Sequence, residues 1–478
     1  MKLTSTILFI LCAFVFHAQE TISFEAPPEG RVTNSFFKYQ REAIKNKPGI
    51  KRMGIGFSIN DTDLINFDIK FDSICYLSNL EILEINQYPN SSLSESIRCL
   101  KNLKELKLDR TKITRLPDSI FDSLTQLKKL YIRASPLSNL NLSMKSLPNL
   151  EELSLVIIAE NSFPTGVTEL TSLKRLKLMG NKIAEIPTSI GNLEELVSLT
   201  LSQNQIANIP NSIINLKKLT SLELSNNQIA EIPNCITSLK GLTSLSLTNN
   251  QLKELPKAIS DLSNLGWLYL NFNKLEKLPD EIGRLNKLWT LELERNNIIN
   301  LPASIINLSN ITSLKLSSNK ISNLPNNMQN LQALEGIYLS RNRFEQFPVE
   351  LSNMPILKNI DLSVNDISFL PDSLLNLATL RELNLKENKI KYLPNNFFNF
   401  DKLEILNLSN NQIESFSSKE FNLNSLLILD LSNNPLKEIY IEKGQFPKLR
   451  RLNVFKTNLS EEQADMLREL LPHAKISY

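Results

Sequence analysis

The 478-residue sequence contains few of the residues that enzymes and metalloproteins use for chemistry: 2 histidines, 4 cysteines and 12 glycines. A Ser-His-Asp or Cys-His arrangement needs a histidine that takes up a proton near neutral pH. Only His473 is left for that role once the N-terminal segment is removed as a signal peptide. Zinc sites need clustered cysteine and histidine, and phosphate-binding loops need closely spaced glycines; the sequence has neither. We therefore predict no catalytic, cofactor-binding or metal-binding residues, and a protein that is not an enzyme.

The sequence also lacks an excess of charge of either sign and a long hydrophobic run. Its 53 basic and 50 acidic residues nearly balance, which argues against a nucleic-acid partner. The apolar run at residues 7–16 is shorter than the roughly 20 residues that a transmembrane helix needs. With Lys2 before it and Ala18 after it, this run is typical of a secretory signal peptide. We predict a signal peptide at 1–18, no transmembrane segment, and a secreted protein (extracellular, periplasmic or cell-surface). The alternative is an apolar N-terminal helix in a cytosolic protein.

Cysteine usage leaves one question open. Removal of residues 1–18 leaves Cys75, Cys99 and Cys235, so at least one thiol is not paired within the chain. Cys75 and Cys99 occupy neighbouring columns of two adjacent repeats and are close enough in principle to bridge, but only geometry decides whether they do. Cys235 stands in a column of small residues, so we expect a small buried side chain there.

What the sequence does contain is a 23-residue repeat. The segments "LKRLKLMGNKI" (173–183), "LTSLSLTNNQL" (242–252) and "LEILNLSNNQI" (403–413) follow one template, L-x-x-L-x-L-x-x-N-x-L. The ninth position is asparagine twelve times in succession, from Asn181 to Asn434. Five further units carry other residues at this position: Tyr88, Thr111, Ser135, Ile158 and Thr457. The sequence therefore predicts seventeen units, with residues 50–58 as a degenerate opening strand.

This pattern resembles the leucine-rich repeat family over about residues 76–460. The Ile/Leu-Pro pair that ends six residues after the asparagine, as at Pro187, resembles the 23-residue Leu-Pro subclass, and the chain looks like a secreted bacterial-type member. The resemblance implies an α/β fold: a right-handed solenoid (horseshoe) with a parallel concave β-sheet of about 17 strands and turns or short helices on the convex side. The period-two alternation in "LTSLEL" (219–224) supports such strands independently.

We divide the chain into a signal peptide at 1–18, an N-terminal cap region at 19–75, leucine-rich repeats at 76–459, and a capping helix and strand at 460–478. Ser460 and Gln463 have the spacing of a capping box at the start of that helix. Nothing in the sequence indicates a catalytic or anchoring domain beyond this cap.

The asparagine column is predicted to be structural. After each strand the chain turns sharply inward and leaves backbone N–H and C=O groups away from water. An asparagine side chain has both donors and an acceptor, so it satisfies those groups and links neighbouring repeats. An orphaned buried group would cost roughly 1–3 kcal/mol. We assign this column no ligand.

The candidate contact residues face the concave side where the repeat becomes irregular. Most outward residues of the central strands are small, but the pattern changes at "GWLYLNF" (266–272). Tryptophan, tyrosine and arginine dominate binding hot spots. We predict partner binding by nine residues: Trp267, Tyr269, Phe272, Glu292, Glu294, Arg295, Lys315, Tyr338 and Arg341. The alternative is a cross-strand ion pair of Glu292 and Lys315, with aromatics that only stiffen the sheet. Trp289 is expected to be half buried and is left out of the predicted partner-binding residues.

A second candidate is basic. It consists of six residues on nearby strands: Lys107, Arg110, Lys129, Arg133, Arg175 and Lys177. Acidic residues interrupt it at Glu105, Asp109 and Glu152, which favours a solvated surface of mixed charge.

These features favour a non-catalytic, exported, protein-binding scaffold that recognises a macromolecular partner on its concave face. At about 4.8 Å per strand the sheet would be on the order of 80 Å long, which suits a protein or other extended macromolecule. Two alternatives remain: a structural or adhesion component that self-associates, and an intracellular signalling scaffold if the N-terminus is not cleaved. The sequence leaves the partner and the oligomeric state open.

Overall fold

Each repeat contributes one short strand to a parallel sheet, and in most of the return segments that the structure describes the chain passes through a turn and a short helix. The computed structural model describes residues 21–25, 50–56, 72–116, 120–137, 140, 147–158, 161–371, 377–394, 400–419 and 423–478. The chain divides into two units, Met1–Gln228 and Ile229–Tyr478. The predicted signal peptide and most of the predicted N-terminal cap lie outside the described residues. Among the helices of the described residues, none has the length and apolar character needed to span a bilayer.

The first unit contains one parallel sheet in which each described strand pairs with the next along the chain. Its strands are β1 Thr21–Glu25, β2 Arg52–Gly56, β3 Ile82–Asn86, β4 Glu105–Asp109, β5 Lys129–Ser135, β6 Glu152–Ile158, β7 Arg175–Met179, β8 Ser198–Thr200 and β9 Ser221–Glu223. Between them lie the α-helix α1 Ile120–Ser123 and the 3-10 helices Asp72–Tyr76, Glu95–Cys99, Val167–Glu169, Thr188–Asn192 and Asn211–Asn215.

The second unit repeats this plan with strands of three residues each. They are β10 Ser244–Ser246, β11 Trp267–Tyr269, β12 Thr290–Glu292, β13 Ser313–Lys315, β14 Gly336–Tyr338, β15 Asn359–Asp361, β16 Glu382–Asn384, β17 Ile405–Asn407, β18 Ser415–Ser417, β19 Ile428–Asp430, β20 Glu438–Tyr440, β21 Arg451–Asn453 and β22 Lys475–Ser477. Its helices are the 3-10 helices Asn234–Ser238, Lys257–Asp261, Asp280–Arg284, Ala303–Asn307, Met328–Asn330 and Val349–Leu351, and the α-helix α2 Glu461–Leu470.

The predicted fold class is confirmed at the level of strands. All seventeen predicted repeat strands are present, as β3 to β17, β19 and β21. Strand β2 lies in the predicted opening segment 50–58, and β22 lies in the predicted terminal segment. Strand β1 pairs in parallel with β2 and was not expected, because residues 21–25 carry no repeat signature.

The core of each unit is a set of leucine and isoleucine columns that point to the side of the sheet away from solvent. In the coil around β12, Leu288, Leu291, Leu293 and Ile298 are fully buried. Burial of one such side chain stabilises the fold by roughly 1.5–3 kcal/mol. Since one coil cannot cover its own leucines, the stacking of successive coils makes the core continuous within each unit.

The asparagine column closes the turn that follows each strand. Asn296 donates from Nδ2 to the carbonyl of Leu293, at 3.0 Å, and to the carbonyl of Leu270 in the preceding repeat, at 3.0 Å. Its Oδ1 accepts the N–H of Leu275, also at 3.0 Å. The side chain is buried, and equivalent bonds hold the other members of the column, such as Asn388. The structural role predicted for this column is confirmed.

The repeats without asparagine satisfy the turn in other ways. The hydroxyls of Thr111 and Ser135 are 2.8 Å apart in the buried interior, and Thr457 donates to the carbonyl of Val454 at 2.8 Å. Ile158 has no polar side chain, but its backbone N–H donates to Oδ1 of Asn181, the column residue of the following repeat, at 3.0 Å. Strands in this part of the chain are also longer, five to seven residues from β3 to β7, so that more backbone groups pair across the sheet.

Proline fixes the exit from the turn. Pro187 and Pro279, for example, are extended residues at the N-cap of a 3-10 helix, with φ −65° and −69°. Ser417 and Tyr440 stand where other repeats have this proline. There β18 pairs in parallel with β20, in a two-stranded sheet separate from that of β10 to β17. This difference has a physical reason, because proline lacks the N–H that a strand ladder uses and its loss permits pairing.

A disulfide lies near the start of the repeat region, and a capping box lies at its end. Cys75 and Cys99 form a disulfide between two 3-10 helices, with a Cα–Cα distance of 5.0 Å, which answers the question that the sequence left open. Cys235 is half-buried, not fully buried as expected. Ser460 caps α2, and its side chain and that of Gln463 make the reciprocal bonds of a capping box.

Candidate binding surface

We call the side of the sheet opposite the buried leucines the ladder face. In β11, Leu268 is fully buried, while Trp267 and Tyr269 lie on the ladder face. Strand register places Tyr269 beside Glu292, then Lys315, then Tyr338. The predicted order of this column is therefore the order in the structure.

Glu292 and Lys315 form the cross-strand ion pair that the sequence offered as an alternative reading. Lys315 Nζ donates to Glu292 Oε1 at 2.6 Å, and the hydrogen bond to Glu292 raises the pKa of Lys315. Glu292 Oε2 also accepts a hydrogen bond from Nδ2 of Asn271, at 2.7 Å. Asn271 Oδ1 in turn accepts the N–H of Glu294 at 2.8 Å. These bonds fix the centre of the column and leave it without net charge.

The two tryptophans of the chain meet on this surface. Their ring centroids are 5.8 Å apart, with planes tilted by 52°. Trp267 is 39% exposed and Trp289 is 54% exposed. Trp289, which the sequence analysis left out as half buried, is thus exposed and lies against Trp267. It stands in the same column as Gly266 of the preceding repeat, and its backbone N–H donates to the Gly266 carbonyl at 2.8 Å.

Phe272 and Arg295 lie at the rim, where the chain leaves the strand. Both have left-handed backbone conformations, with φ of 56° and 54°, and both are exposed. The guanidinium carbon of Arg295 lies 5.0 Å from the centre of the Phe272 ring, within the range of a cation–π contact. Arg341 occupies the equivalent rim position two repeats later, with φ of 54°. We call Trp289, Trp267, Tyr269 and Phe272 the aromatic stripe.

The remaining predicted residues border the stripe. Glu294 is partly buried, and this burial raises its pKa. Tyr338 lies along its own strand, because a Cβ added at Gly336 would come within 3.2 Å of its ring. The structure thus brings Trp267, Tyr269, Phe272, Glu292, Glu294, Arg295 and Lys315 together on β11 to β13 and the turns after them, with Tyr338 and Arg341 in the next repeat.

A second polar column on the ladder face is structural. From β15 to β21 the position equivalent to Tyr269 is held by asparagine or aspartate: Asp361, Asn384, Asn407, Asp430 and Asn453. Each side-chain Oδ1 accepts the backbone N–H two residues later, at 2.9–3.2 Å. Because these side chains close local turns, we assign them a structural role and not a binding role. The binding candidates are therefore those at β11 to β14.

Most of the basic candidate residues in the first unit are paired with acidic side chains. Lys107 Nζ lies 2.7 Å from both Glu84 and Glu105, and Arg175 pairs with Glu152. Arg175 lowers the pKa of Glu152 to about 2. Arg110, Arg133 and Lys129 also lie within 4.0 Å of acidic side chains. Within the described part of the chain, Lys177 forms no ion pair. The surface of mixed charge that the sequence favoured is what the structure shows.

Comparison with solved structures shows related folds. A leucine-rich repeat protein of Leptospira interrogans, LIC12759, is 28% identical, with a TM-score of 0.67 over 85% of this chain and 92% of that chain. The plant peptide hormone receptor RGFR1, solved in complex with RGF2, is 25% identical, with a TM-score of 0.61 over 95% and 80% of the two chains. The Drosophila Toll–Spatzle complex gives a TM-score of 0.72 at 18% identity, over 96% and 68%, which shows the fold alone. No curated protein matches the chain.

Family comparison covers most of the repeat region. The leucine-rich repeat region family matches residues 63–179 and 257–368. The leucine rich repeat family matches residues 171–229, 355–413 and 379–436, and a family of two leucine-rich repeat copies matches 217–264. Members of these families are in general non-catalytic protein-binding scaffolds. With its stacked parallel strands and asparagine column, this chain belongs to the leucine-rich repeat family.

Proposed function

We propose that this protein is an exported, non-catalytic scaffold that binds a protein partner through its ladder face, at the aromatic stripe and the charged residues beside it. The observation that carries the proposal is the contact between the two exposed tryptophans, Trp267 and Trp289. Large aromatic side chains are the commonest energetic anchors of protein interfaces, and solvent exposure in the free protein is unfavourable unless a partner covers them.

The surroundings of the tryptophans also suit an interface. The ion pair of Glu292 and Lys315, with Asn271, is held by hydrogen bonds of 2.6–2.7 Å, so little side-chain entropy remains to be lost on binding. Rigid aromatic groups beside fixed polar groups are typical of interface hot spots. The repeat family supports the same role, and the related receptor RGFR1 is known in complex with RGF2.

Export is part of the proposal. The N-terminal 18 residues have the features of a signal peptide, and the disulfide of Cys75 and Cys99 is typical of proteins that mature in an oxidising compartment. Mass spectrometry of the mature protein should give Gln19 as its first residue. Retention of Met1 or Lys2 would instead favour the intracellular scaffold. The 23-residue Leu-Pro pattern leads us to place the chain among secreted bacterial-type members of the family.

Self-association through Cys235 is less well supported. The side chain is half-buried, and burial raises the pKa of its thiol, which lowers the fraction of reactive thiolate. Light scattering on the purified protein separates the two functions, because a stable oligomer without a partner favours the structural role.

The test is affinity capture from the native extracellular setting. Wild-type protein should retain a partner that Trp267→Ala/Trp289→Ala loses, because the substitutions remove the two largest exposed anchors. A matched control is Tyr392→Ala, which removes an aromatic ring that is 82% exposed but lies outside the ladder face. Circular dichroism should show that both variants keep the fold. Equal capture by the double variant and the wild type would refute the site.

A further inference from the structure

We infer that the occupant of this surface is an extended peptide segment of the partner, in which proline or aromatic side chains are followed by an acidic side chain. The inference rests on the proposed function, because it names the chemistry of the partner for the same ladder face. Three properties carry it: the extent of the aromatic stripe, the absence of net charge beneath it, and two rim arginines without an ion pair, Arg295 beside Phe272 and Arg341 two repeats further on.

The aromatic stripe crosses the width of the sheet. Trp267 begins β11 and Trp289 immediately precedes the neighbouring strand β12, while Tyr269 and Phe272 follow Trp267 along the chain. At about 3.3 Å per extended residue the stripe is on the order of 15 Å long, which is the span of about five residues of extended peptide. The two indoles are in contact and tilted by 52°, so together they present one continuous aromatic surface. Aromatic-lined surfaces of this kind accept polyproline segments.

The surface beneath the stripe has no net charge. In register with Trp267 stand Ser244 and Thr290, and the neighbours of Tyr269 are Ser246 and Glu292. Glu292 is neutralised by its ion pair 2.6 Å from the lysine of the next strand. An anionic side chain placed over the indoles would lose water and face the negative side of the rings without gaining a partner, so we expect uncharged side chains over this part of the stripe.

The charge is at the Phe272 end of the stripe. Arg295 and Arg341 are both exposed, and neither has an acidic side chain within ion-pair distance among the residues that the structure describes. Glu294, the acid next to Arg295 in sequence, makes its hydrogen bond to Ser317. Other cations on or beside this face are paired with acids of the neighbouring repeat: Lys315, Lys358 and Arg381.

The stacking of Arg295 on Phe272 prepares it for a carboxylate. A guanidinium that lies on a ring keeps its N–H edge free, and that edge donates two parallel hydrogen bonds to a carboxylate. Arg295 has no acidic partner and lies at the end of an uncharged aromatic stripe. It is therefore complementary to a peptide in which an acidic side chain follows apolar ones.

The surface carries its own reporter, because Trp267 and Trp289 are the chain's 2 tryptophans. Both indoles are exposed in the free protein. A peptide that covers them should shift their emission to shorter wavelength and protect them from acrylamide quenching.

The probe is a library of random peptides of about twelve residues displayed on phage, selected against the full chain and counter-selected against Trp267→Ala/Trp289→Ala. Enriched sequences should place proline or an aromatic residue within about five positions of Asp or Glu. Synthetic copies should shift the tryptophan emission. Arg295→Gln/Arg341→Gln should weaken their binding about tenfold or more and reduce its salt dependence. The control Arg284→Gln, at an exposed arginine that ends a 3-10 helix, should not.

Three results would overturn the inference: no enrichment over the tryptophan double variant, an enriched set without acidic residues, or equal binding to Arg295→Gln/Arg341→Gln. A shift in emission caused by cellohexaose but not by the selected peptides would assign the surface to a neutral glycan. If no peptide is enriched while the tryptophan variant still loses the captured partner, the proposed function stands and the peptide occupant is wrong.

Discussion

Replacement of Asn388 by alanine tests the structural role of the asparagine column away from the aromatic stripe. In the wild type, Nδ2 donates to the carbonyls of Leu362 and Leu385, each at 3.0 Å, and Oδ1 accepts the N–H of Ile367 at 3.0 Å. The side chain is buried, so the substitution leaves one donor and two acceptors without these partners. An orphaned buried group costs roughly 1–3 kcal/mol, and water admitted to the small cavity recovers part of this. We expect a loss of about 3 kcal/mol in the free energy of unfolding.

Urea unfolding followed by far-UV circular dichroism measures this loss, and hydrogen exchange of the Ile367 amide locates it. The matched control is Asn300→Ala, which makes the same chemical change at an exposed position and should alter stability by less than about 0.5 kcal/mol. If Asn388→Ala were as stable as Asn300→Ala, and the Ile367 amide stayed protected, the asparagine column would not be structural.

Three further substitutions test other parts of the account. Cys99→Ser removes the disulfide and should destabilise the first unit by about 3 kcal/mol in urea, and dithiothreitol should lower the stability of the wild type but not of this variant. Gly283→Ala should lower the melting temperature, with a cost of about 1–3 kcal/mol, because a Cβ there would lie 2.1 Å from the carbonyl oxygen of Ser304. Gly266→Ala, whose Cβ meets nothing within 3.7 Å, should not. Glu152→Gln should cost about 1–2 kcal/mol near pH 7 after allowance for solvent screening. The pKa of Glu152 is depressed from 4.5 to about 2, so its contribution is present above pH 4.5 and is lost as pH falls toward 2; an unchanged deficit at pH 2 would contradict this reasoning.

The sequence predicted the repeat strands well because two signals coincide at twelve of the seventeen. Alternation places leucine or isoleucine inward in the repeat strands, and in those twelve an asparagine marks the turn that follows. Both signals report on local bonding, such as that of Asn296, which recurs in the repeats that carry the asparagine. Strand β1 carries neither signal, and its place in the sheet depends on pairing with β2, far along the chain.

The candidate site was predicted less completely, because exposure depends on neighbours that are distant in sequence. Trp289 lies just before β12, outside the strand alternation, so the pattern that places Trp267 on the ladder face does not predict its exposure. Its contact with Trp267 comes from the stacking of two repeats. Similarly, the proximity of Cys75 and Cys99 depends on how two helices stack, which spacing alone does not determine.

Hydrogen–deuterium exchange of the complex with the captured partner tests the central claim most directly. If the ladder face at the aromatic stripe is the interface, the partner should slow exchange in residues 266–272 and 289–295 and leave the 3-10 helices Lys257–Asp261 and Asp280–Arg284 unchanged. Protection confined to those helices, with the stripe exchanging as in the free protein, would contradict the account.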